Sequence, residues 1–235
     1  MVIKDIPLRE RKQSKTRLAI HDASMRLLKK KHLAQIKVEE ICEEVEISRG
    51  TFFSYFPRKI DLLYYTIRLW SIEGGWLLSK TPENERGIAF IEYMFKWCGR
   101  SMKENPIIWA EFMALRVFEP RTIHNLNINN VSMVTQTDKL LRFPDKPGIE
   151  DIPEGTVVTL FRENLEMAIE RKELPGNTDI DTVLISLTSI LYGVPTMMSG
   201  YTNYEKLLEE YERQLNIFWT GLKTTRMEQT DNAAP

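Results

Sequence analysis

The chain has 235 residues, of which 43% are hydrophobic, and it carries 32 basic against 33 acidic side chains. This hydrophobic share supports a folded core and excludes a disordered chain, and the length allows one large domain or a small and a larger one. The charge is uneven, since residues 1–60 carry 14 Lys and Arg against 8 Asp and Glu, whereas residues 61–235 carry 18 against 25. A polyanion is attracted by the first segment and repelled by the second, so nucleic acid is the expected partner.

The two cysteines, Cys42 and Cys98, lie in apolar helical patterns without CxxC or Cys/His ligand spacing. The N-terminal segment lacks the apolar core of a signal peptide, so we expect a reducing, cytoplasmic environment. Residues 182–204 form a stretch of 23 residues without a charge, which is long enough to span a bilayer. Hydroxyl groups, two glycines and a proline dilute its apolar character, so we interpret it as a helix buried on two sides and expect no membrane span.

The first elements in the chain are three short helical patterns. Apolar or small residues at helical spacing predict a first helix around residues 20–28 and a second one at residues 38–45. A turn is predicted at residues 46–47, and Ser48 stands where a hydroxyl caps the N-terminus of a third helix. Two helices joined by about four residues predict a helix-turn-helix at about residues 37–56.

The second helix of this motif carries side chains suited to a DNA duplex. Arg49 has the forked guanidinium that pairs with guanine in the major groove, so it is the candidate for base recognition. Gly50 allows the backbone to come close to the duplex. The candidates for phosphate contacts are Lys37, Thr51, Tyr55 and Lys59.

Other residues around the motif are expected to attract DNA, to form the core or to stay away from the duplex. Salt-sensitive attraction is expected from a basic N-terminal arm with Arg9, Arg11, Lys12, Lys15 and Arg17. Phe52 and Phe56 are expected to be core residues because of their helical spacing. Five acidic residues are expected on the face turned away from DNA: Glu39, Glu40, Glu43, Glu44 and Glu46.

Almost every later segment also has helical periodicity, and no period-two pattern persists, so the fold class is predicted to be all-α. The later helices are predicted at residues 59–78, 85–102, 106–120, 156–172, 179–198 and 204–223. Asn105 is expected to cap a helix that begins at Pro106, and Thr178 with Asp181 resembles a capping box. Residues 121–155 are left open between helix and loop, with several prolines and glycines after residue 143.

Residues 16–63 resemble the DNA-binding domain of the TetR/AcrR family of bacterial transcriptional regulators. The family favours a recognition segment of the form V-S-x-G-T-L-Y-x-Y-F-x-x-K-x-x-L, which stands here as ISRGTFFSYFPRKIDL at residues 47–62. His32 replaces the usual Gly after the first helix, and residues 36–37 replace a Thr pair that caps the second. Phe53 replaces a Tyr that touches phosphate. The resemblance implies DNA contacts from Lys37, Ser48, Arg49, Gly50, Thr51, Phe53, Tyr55 and Lys59.

The resemblance implies a three-helix DNA-binding domain at residues 13–73, followed by a larger helical ligand-binding and dimerisation domain at residues 74–225 and a flexible tail at residues 226–235. Beyond residue 78 the likeness rests on residues 160–174, which look like the seventh helix of the family. The last two helices are implied to pair with those of a second subunit in a four-helix bundle. The apolar residues predicted for this interface are Leu187, Leu191, Leu208, Tyr211, Leu215, Phe218, Trp219 and Leu222.

The family also implies an effector pocket in the second domain. Candidates for its lining are Met94, Trp97, Trp109, Phe112, Met113, Phe118, Phe161 and Met167. For any single one of them ordinary core packing is the favoured interpretation, because Met and aromatic residues at helical spacing mainly pack. Together they predict a small hydrophobic effector, and Arg100, Glu111 and Arg116 are candidates for orienting a polar group of it.

We therefore expect a transcriptional repressor that binds a double-stranded, palindromic operator as a homodimer and is released by its effector. The alternative is a helical adaptor that acts through protein partners and shows no salt-dependent DNA binding. No enzyme is expected, because the sequence has neither a Ser/His/Asp constellation nor a Gly-rich phosphate loop. The three histidines have no metal-ligand spacing, so no metal or cofactor is expected. The effector, the operator, the regulated genes and the choice between repressor and activator stay open.

Overall fold

The computed structural model describes residues 5–118, 134–198 and 203–231. These residues form ten α-helices and no β-strand, which confirms the all-α prediction. The helices are α1 Leu8–Leu28, α2 Val38–Val45, α3 Arg49–Tyr55, α4 Asp61–Lys80, α5 Ile88–Glu104, α6 Pro106–Phe118, α7 Gln136–Arg142, α8 Val157–Glu170, α9 Ile180–Met197 and α10 Tyr204–Asp231. Short 3-10 turns lie at Leu33–Gln35, Glu83–Glu85 and Ile149–Asp151.

The helices form two compact units, and each unit is made of two segments of the chain. The first unit comprises residues 1–77 and 105–156, so far as they are described, and contains α1, α2, α3, most of α4, α6 and α7. The second comprises residues 78–104 and 157–235, again so far as described, and contains α5, α8, α9 and α10. The helix-turn-helix therefore shares its unit with α6 and α7, which lie far from it in sequence.

Large buried side chains hold the three N-terminal helices together. Ile20 of α1, Ile41 of α2 and Phe52 of α3 have no exposed surface. The ring of Phe56 lies 6.1 Å from that of Phe52 and 5.6 Å from that of Tyr65 in α4, measured between centroids. Burying such a side chain contributes about 1.5–3 kcal/mol. The predicted core role of Phe52 and Phe56 is confirmed.

The second unit has an aromatic centre that joins three of its helices. Phe95 of α5 stacks on Phe161 of α8 with ring centroids 5.6 Å apart, and Tyr211 of α10 meets Phe95 edge-on at 5.1 Å. A Cβ at Gly99 would lie 3.2 Å from a methyl group of Leu208. Helices α5 and α10 therefore approach each other closely at this glycine.

The sequence predicts where helix α6 begins and which residue caps helix α9. Helix α6 begins at Pro106, as predicted. Helix α9 is capped by Asp179, whose carboxylate accepts the backbone N–H groups of Asp181 at 3.1 Å and Thr182 at 3.3 Å. The capping box predicted for Thr178 with Asp181 is wrong. The Asp179 carboxylate lies one residue nearer to the free N–H groups, and carboxylates are strong N-cap acceptors.

Three segments differ from the predicted bounds. Helix α1 begins at Leu8, so the basic residues predicted as an arm are helical. Within the open segment 121–155, residues 136–142 are helical and residues 121–133 lie outside the described residues. Helix α10 continues to Asp231, past the predicted end at residue 223 and into the predicted flexible tail. Residues 224–231 contain good helix formers such as Arg, Met, Glu and Gln and no Gly or Pro, so nothing stops the helix earlier.

Among the described helices, Ile180–Met197 is long and apolar enough to cross a membrane, and 28% of this stretch is buried within the subunit. The core helix of a globular protein passes the same test of length and hydropathy. The sequence predicts that this helix is buried on two sides. The described residues of the subunit cover only the smaller part of it.

Candidate nucleic-acid interface

The helix-turn-helix has the local geometry that its sequence predicts. Helix α2 ends at Val45 and is followed by Glu46, which adopts a left-handed conformation with φ 58° and ψ 45°. The next N–H, that of Ile47, donates to the Cys42 carbonyl at 3.0 Å. Helix α3 then begins after Ser48, whose hydroxyl oxygen accepts the backbone N–H of Thr51 at 3.1 Å. The turn therefore fixes the direction in which α3 leaves α2.

The start of α2 has no hydroxyl cap, as the sequence predicts, and other contacts replace it. The Glu40 carboxylate accepts the backbone N–H of Lys37 at 2.8 Å. The Lys59 ammonium donates to the Ile36 carbonyl at 2.8 Å and lies 3.5 Å from the Ala34 carbonyl. Lys59, a predicted phosphate ligand, therefore holds the segment before α2, and its three N–H groups leave it a donor for a phosphate.

The outward face of α3 carries a cation, an aromatic ring and a glycine. Arg49 and Gly50 are exposed, and Phe53 is 39% exposed. The Arg49 guanidinium carbon lies 6.0 Å from the centroid of the Phe53 ring, and its Nη1 lies 2.8 Å from a carboxylate oxygen of Glu39. The expectation that all five acidic residues face away from DNA is wrong for Glu39, because this carboxylate sits beside the predicted base-recognition residue.

Two other acidic residues of α2 pair with cations of α1 and of the turn after it. Glu40 lies 2.5 Å from the ammonium of Lys31 in this turn, and Glu44 lies 2.5 Å from the guanidinium of Arg26 in α1. The hydrogen bond from Lys31 lowers the pKa of Glu40. These two carboxylates therefore offset cations outside α3, whereas Glu39 pairs with Arg49 of α3.

Gly50 is exposed, and the subunit leaves room for a side chain there. A Cβ at this position would meet the Ser48 hydroxyl oxygen at 3.7 Å, which is ordinary van der Waals contact. The glycine is therefore not required by packing inside the subunit.

A groove of about 370 Å³ runs between the first half of α1 and the end of α3, and we call it the α1–α3 groove. It is lined by Leu8, Arg9, Lys12, Gln13, Thr16 and Tyr55. Arg9 and Lys12 are exposed cations, and Tyr55 is half-buried. Thr51, one turn before Tyr55, has its hydroxyl 2.9 Å from that of Ser48. The sequence analysis does not identify three of these lining residues, Leu8, Gln13 and Thr16.

The five basic residues of the predicted arm have different environments. Arg9, Lys12 and Lys15 are exposed, whereas Arg11 and Arg17 are half-buried. Arg17 forms an ion pair with Asp138 of α7, with Nη1 2.5 Å from Oδ2, and its guanidinium carbon lies 5.7 Å from the centroid of the Tyr55 ring. Arg17 is therefore not a free cation for DNA, and its partner lies 121 residues away, beyond the reach of sequence spacing.

The residues predicted for the effector pocket are divided between the two units. Trp109 and Phe112 pack with Trp70 in the first unit at centroid distances of 5.3 and 5.1 Å, and Met113 lies in the same unit. Met94, Trp97, Phe161 and Met167 lie in the second unit. Phe118 lies outside the described side chains. The pocket assignment stays a prediction.

Glu111, a candidate for orienting a polar group of the effector, contacts the segment after α1. Its carboxylate accepts the Leu33 backbone N–H at 3.0 Å and lies 2.8 Å from His32 Nδ1.

The second unit has a cleft of about 180 Å³ between α5 and α10, which is lined by residues other than the predicted pocket residues. Its lining is Glu92, Phe95, Lys96, Leu208, Tyr211, Glu212, Leu215 and Asn216. Lys96 and Glu212 form an ion pair of 2.8 Å at this cleft, and the hydrogen bond from Lys96 to Glu212 raises the pKa of the lysine.

The residues predicted for the dimer interface differ in how far the subunit covers them. Leu187, Leu191, Tyr211, Leu215 and Trp219 are buried within the subunit, and Leu208, Phe218 and Leu222 are half-buried. The same two helices expose Ile185, Met197 and Ile217, at 68%, 82% and 61% of their surface. The interface assignment stays a prediction.

Neither cysteine is placed for chemistry. Cys42 and Cys98 are buried. Burial raises the pKa of both thiols, that of Cys98 to about 12. Among the described residues no group of three or more His, Cys, Asp or Glu side chains is arranged to hold a metal ion.

Residues 20–65 match the sequence model of the family described as bacterial regulatory proteins, tetR family. No curated protein matches the chain significantly. GusR of Salmonella enterica is similar in fold, with a TM-score of 0.58, 17% sequence identity, and coverage of 88% of this chain and 95% of that one.

Two other solved structures are less similar. One is a TetR transcriptional regulator from Rhodococcus sp. RHA1, with a TM-score of 0.48, 15% identity, and coverage of 86% of this chain and 95% of that one. The other is a TetR family transcriptional regulator from Chloroflexus aurantiacus J-10-FL, with a TM-score of 0.43, 17% identity, and coverage of 93% and 95%.

Proposed function

Because the chain belongs to the TetR family of bacterial regulatory proteins, we propose that it is a ligand-responsive transcriptional regulator that acts by binding DNA and not by catalysis. We propose further that it is a cytoplasmic repressor. A homodimer occupies a palindromic double-stranded operator, and a small hydrophobic effector releases it.

The observation that carries this proposal is the outward face of α3. Arg49, Gly50 and Phe53 are exposed, while Phe52 on the opposite face is fully buried and holds the helix to α1 and α2. A recognition helix must present its side chains outward in this way to reach base edges in the major groove. The room for a Cβ at Gly50 supports a role in close approach to DNA, because packing within the subunit does not explain the glycine.

Within the proposed DNA-binding domain, residues 13–73, the contacts divide into base recognition and phosphate binding. Arg49 is the base-recognition residue, with a guanidinium fork suited to guanine. Phosphate contacts are proposed for Lys37, Ser48, Thr51, Phe53 through its backbone, Tyr55 and Lys59. The exposed cations Arg9 and Lys12 of the α1–α3 groove add attraction that does not depend on sequence.

The proposed homodimer rests on apolar surface at the C-terminal helices. Ile185, Met197 and Ile217 are largely exposed on α9 and α10. Only 28% of the apolar stretch of α9 is buried within the subunit, so most of this apolar surface is left for a partner to cover. A second copy is the proposed occupant, because a palindromic operator requires two-fold symmetry of the protein.

The proposed regulatory domain, residues 74–225, also binds the effector. Its proposed chemical class rests on the candidates of the second unit, Met94, Trp97, Phe161 and Met167. Side chains of this kind favour an apolar or aromatic molecule. Release of DNA by that molecule would follow if it binds a conformation that does not fit the operator.

Selection from a pool of random DNA duplexes tests the proposal directly. We expect the protein to enrich a palindrome whose half-sites lie about 34–36 Å apart or a multiple of this distance, and to bind it more weakly as salt rises. Light scattering should give twice the chain mass of 27.5 kDa. Failure to enrich any sequence, together with binding that does not depend on salt, would contradict the proposal and favour a helical adaptor.

A further inference from the structure

Helix α7 and the residue before it contact α1 through polar side chains, and we call this contact the α1–α7 joint. Its pairs, in order along α1, are Glu10 with Thr137, Ser14 with Thr135, Arg17 with Asp138 and Asp22 with Arg142. All of them lie in the first unit. The joint therefore attaches a segment from the middle of the chain to the first helix of the proposed DNA-binding domain.

Asp138 is the central group of the joint. It has no exposed surface. Its Oδ2 accepts the Thr135 backbone N–H at 2.9 Å and a hydrogen bond from Arg17 at 2.5 Å, while the Thr135 hydroxyl accepts the Asp138 N–H at 3.1 Å. This reciprocal cap fixes the carboxylate on the first turn of α7. A buried carboxylate needs a cation beside it, so the position of Asp138 determines that of Arg17.

Arg17 connects this carboxylate to the recognition helix. Its side chain is 16% exposed. Its guanidinium carbon lies 5.7 Å from the centroid of the Tyr55 ring, the last residue of α3. A cation over an aromatic face is attracted to it. One side chain therefore touches α7 through an ion pair and α3 through a ring, and Tyr55 in turn lines the α1–α3 groove.

Polar pairs, and not tight apolar packing, define the centre of the joint. The buried Nε of Arg17 has no protein hydrogen-bond partner among the described residues, and the buried Tyr65 hydroxyl lies near Asp138, so that burial and this carboxylate both raise its pKa. His21 and Tyr65 meet edge-on at 5.3 Å. Because unpaired buried polar atoms weaken such a contact, the charge of Asp138 has a large share in keeping Arg17 in place.

We propose that Asp138 is a positioning residue for DNA binding. By holding Arg17 against Tyr55, it sets the shape of the α1–α3 groove and the orientation of the end of α3. The proposal rests on the proposed function, because the groove and α3 are the surfaces that would meet DNA. It assigns a role in operator binding to a residue that lies about 65 residues beyond the predicted DNA-binding domain.

The substitution Asp138→Asn separates positioning from simple electrostatics. It keeps the shape of the side chain and raises the net charge by one. Long-range attraction alone would then tighten binding to any duplex. Loss of position predicts the opposite, about tenfold weaker binding to the selected operator and a smaller dependence on salt, because phosphate contacts at the groove are lost.

The matched control is Arg142→Gln. It breaks the Arg142–Asp22 pair of 2.6 Å in the same joint without a change at Arg17 or Tyr55. Both variants are compared with the wild type by circular dichroism and by fluorescence anisotropy of the labelled operator. Because the control lowers the net charge by one, we expect only a small loss of affinity, equal for the operator and for an unrelated duplex.

A second measurement needs no DNA and applies to any folded variant. The protein is labelled with 3-fluorotyrosine, and the 19F signal of Tyr55 is assigned with Tyr55→Phe. We expect this signal to shift in Asp138→Asn and to stay in place in Arg142→Gln, because the guanidinium over the ring moves only in the first. A role of Asp138 in stability alone would leave the Tyr55 signal of the folded variant unchanged.

The outcomes distinguish the two levels of the proposal. If the wild type binds no duplex, the proposed function is wrong and the role in DNA binding falls with it. If the wild type binds an operator but Asp138→Asn binds it equally or more tightly and the Tyr55 signal does not move, only the positioning role is overturned.

Discussion

Tyr211 donates a hydrogen bond to the carbonyl that Pro195 leaves without its helical donor. In an α-helix the carbonyl of Leu191 would receive the N–H of the residue four positions later, but Pro195 has none. The Tyr211 hydroxyl lies 2.7 Å from this carbonyl, and both side chains are buried in the second unit. The Leu191 carbonyl therefore has a donor although Pro195 lies inside helix α9. The same hydrogen bond fixes α10 to α9.

The substitution Tyr211→Phe should lower the free energy of unfolding by about 1–3 kcal/mol, because it leaves the Leu191 carbonyl buried without a donor. Adding Pro195→Ala restores an N–H for this carbonyl. We therefore expect Pro195→Ala to raise the free energy of unfolding more in the Tyr211→Phe background than in the wild type. Urea unfolding at one fixed protein concentration measures the four stabilities of the cycle.

Tyr93→Phe is the matched control for this cycle, since Tyr93 is 46% exposed on α5. It should change stability by less than about 0.5 kcal/mol. Equal effects of Pro195→Ala in the two backgrounds would show that the Tyr211 hydroxyl does not compensate for the proline.

Local patterns were enough to predict the helix-turn-helix. The spacing of apolar residues placed α2, and the Ser48 hydroxyl marked the start of α3, because both depend on neighbours within a few residues. The same kind of signal misplaced the cap of α9 by one residue, since Thr178 and Asp179 are both good caps and only the geometry of the turn decides between them.

Contacts between distant segments were not predictable in this way. No spacing rule connects Arg17 with Asp138, so the sequence alone predicts Arg17 to be one of the basic residues that attract DNA. Glu39 precedes Arg49 by ten residues across a turn, and their contact depends on the angle between α2 and α3. The sequence predicts which residues contact DNA, and the three-dimensional structure adds which other side chains lie beside each of them.

The substitution Gly50→Ala tests whether the glycine serves DNA binding. The added methyl group meets ordinary contact within the subunit, and Ala is up to about 1 kcal/mol better than Gly in a helix. We therefore expect equal or higher thermal stability together with weaker binding to the selected operator. Anisotropy and thermal unfolding of the same samples check the two parts.

Gly221, an exposed glycine of α10 where a Cβ would meet no atom within 4 Å, gives a comparison for Gly50→Ala. Gly221→Ala adds the same methyl group to a helix outside the proposed DNA-binding domain, so it should leave operator affinity close to that of the wild type. Should Gly50→Ala bind as tightly as the wild type, the duplex does not approach the backbone at this position.

The substitution Arg49→Ala should lower specificity for the selected operator by roughly 1–3 kcal/mol and leave nonspecific binding nearly intact, because it removes a bidentate contact to a base. The measurement is the ratio of affinities for the operator and for an unrelated duplex at one salt concentration. Equal weakening on both duplexes would mean that Arg49 contacts only phosphate.

Glu39 provides a separate test, because its carboxylate competes with DNA for the Arg49 guanidinium at 2.8 Å. Glu39→Gln removes a negative charge at the interface, so we expect tighter binding to both duplexes. If Glu39 also orients the guanidinium, the gain for the operator will be smaller than the gain for the unrelated duplex. Glu43→Gln, which removes a charge from another exposed residue of α2, controls for the change in net charge alone.

His21 should make the stability of the first unit depend on pH. Burial lowers the pKa of His21 below its ordinary value of 6.5, and Arg142 also lowers it, whereas contacts with Asp22 act in the opposite direction. The Thr66 hydroxyl donates to the Leu62 carbonyl at 2.8 Å, so it accepts from His21 Nε2 at 2.9 Å, which places the proton of the neutral ring on Nε2.

The unfolded chain therefore binds a proton at His21 that the folded chain does not bind. The contribution of neutral His21 to the free energy of unfolding should be complete above about pH 7.5. It should fall as the pH drops through about 6.5, by at most about 1.4 kcal/mol per pH unit for one proton. Urea unfolding between pH 5.5 and 8 measures this slope, and His21→Gln should flatten it. His32→Gln, at an exposed position, should keep the slope, and loss of the slope in that variant would assign the titration to the wrong histidine.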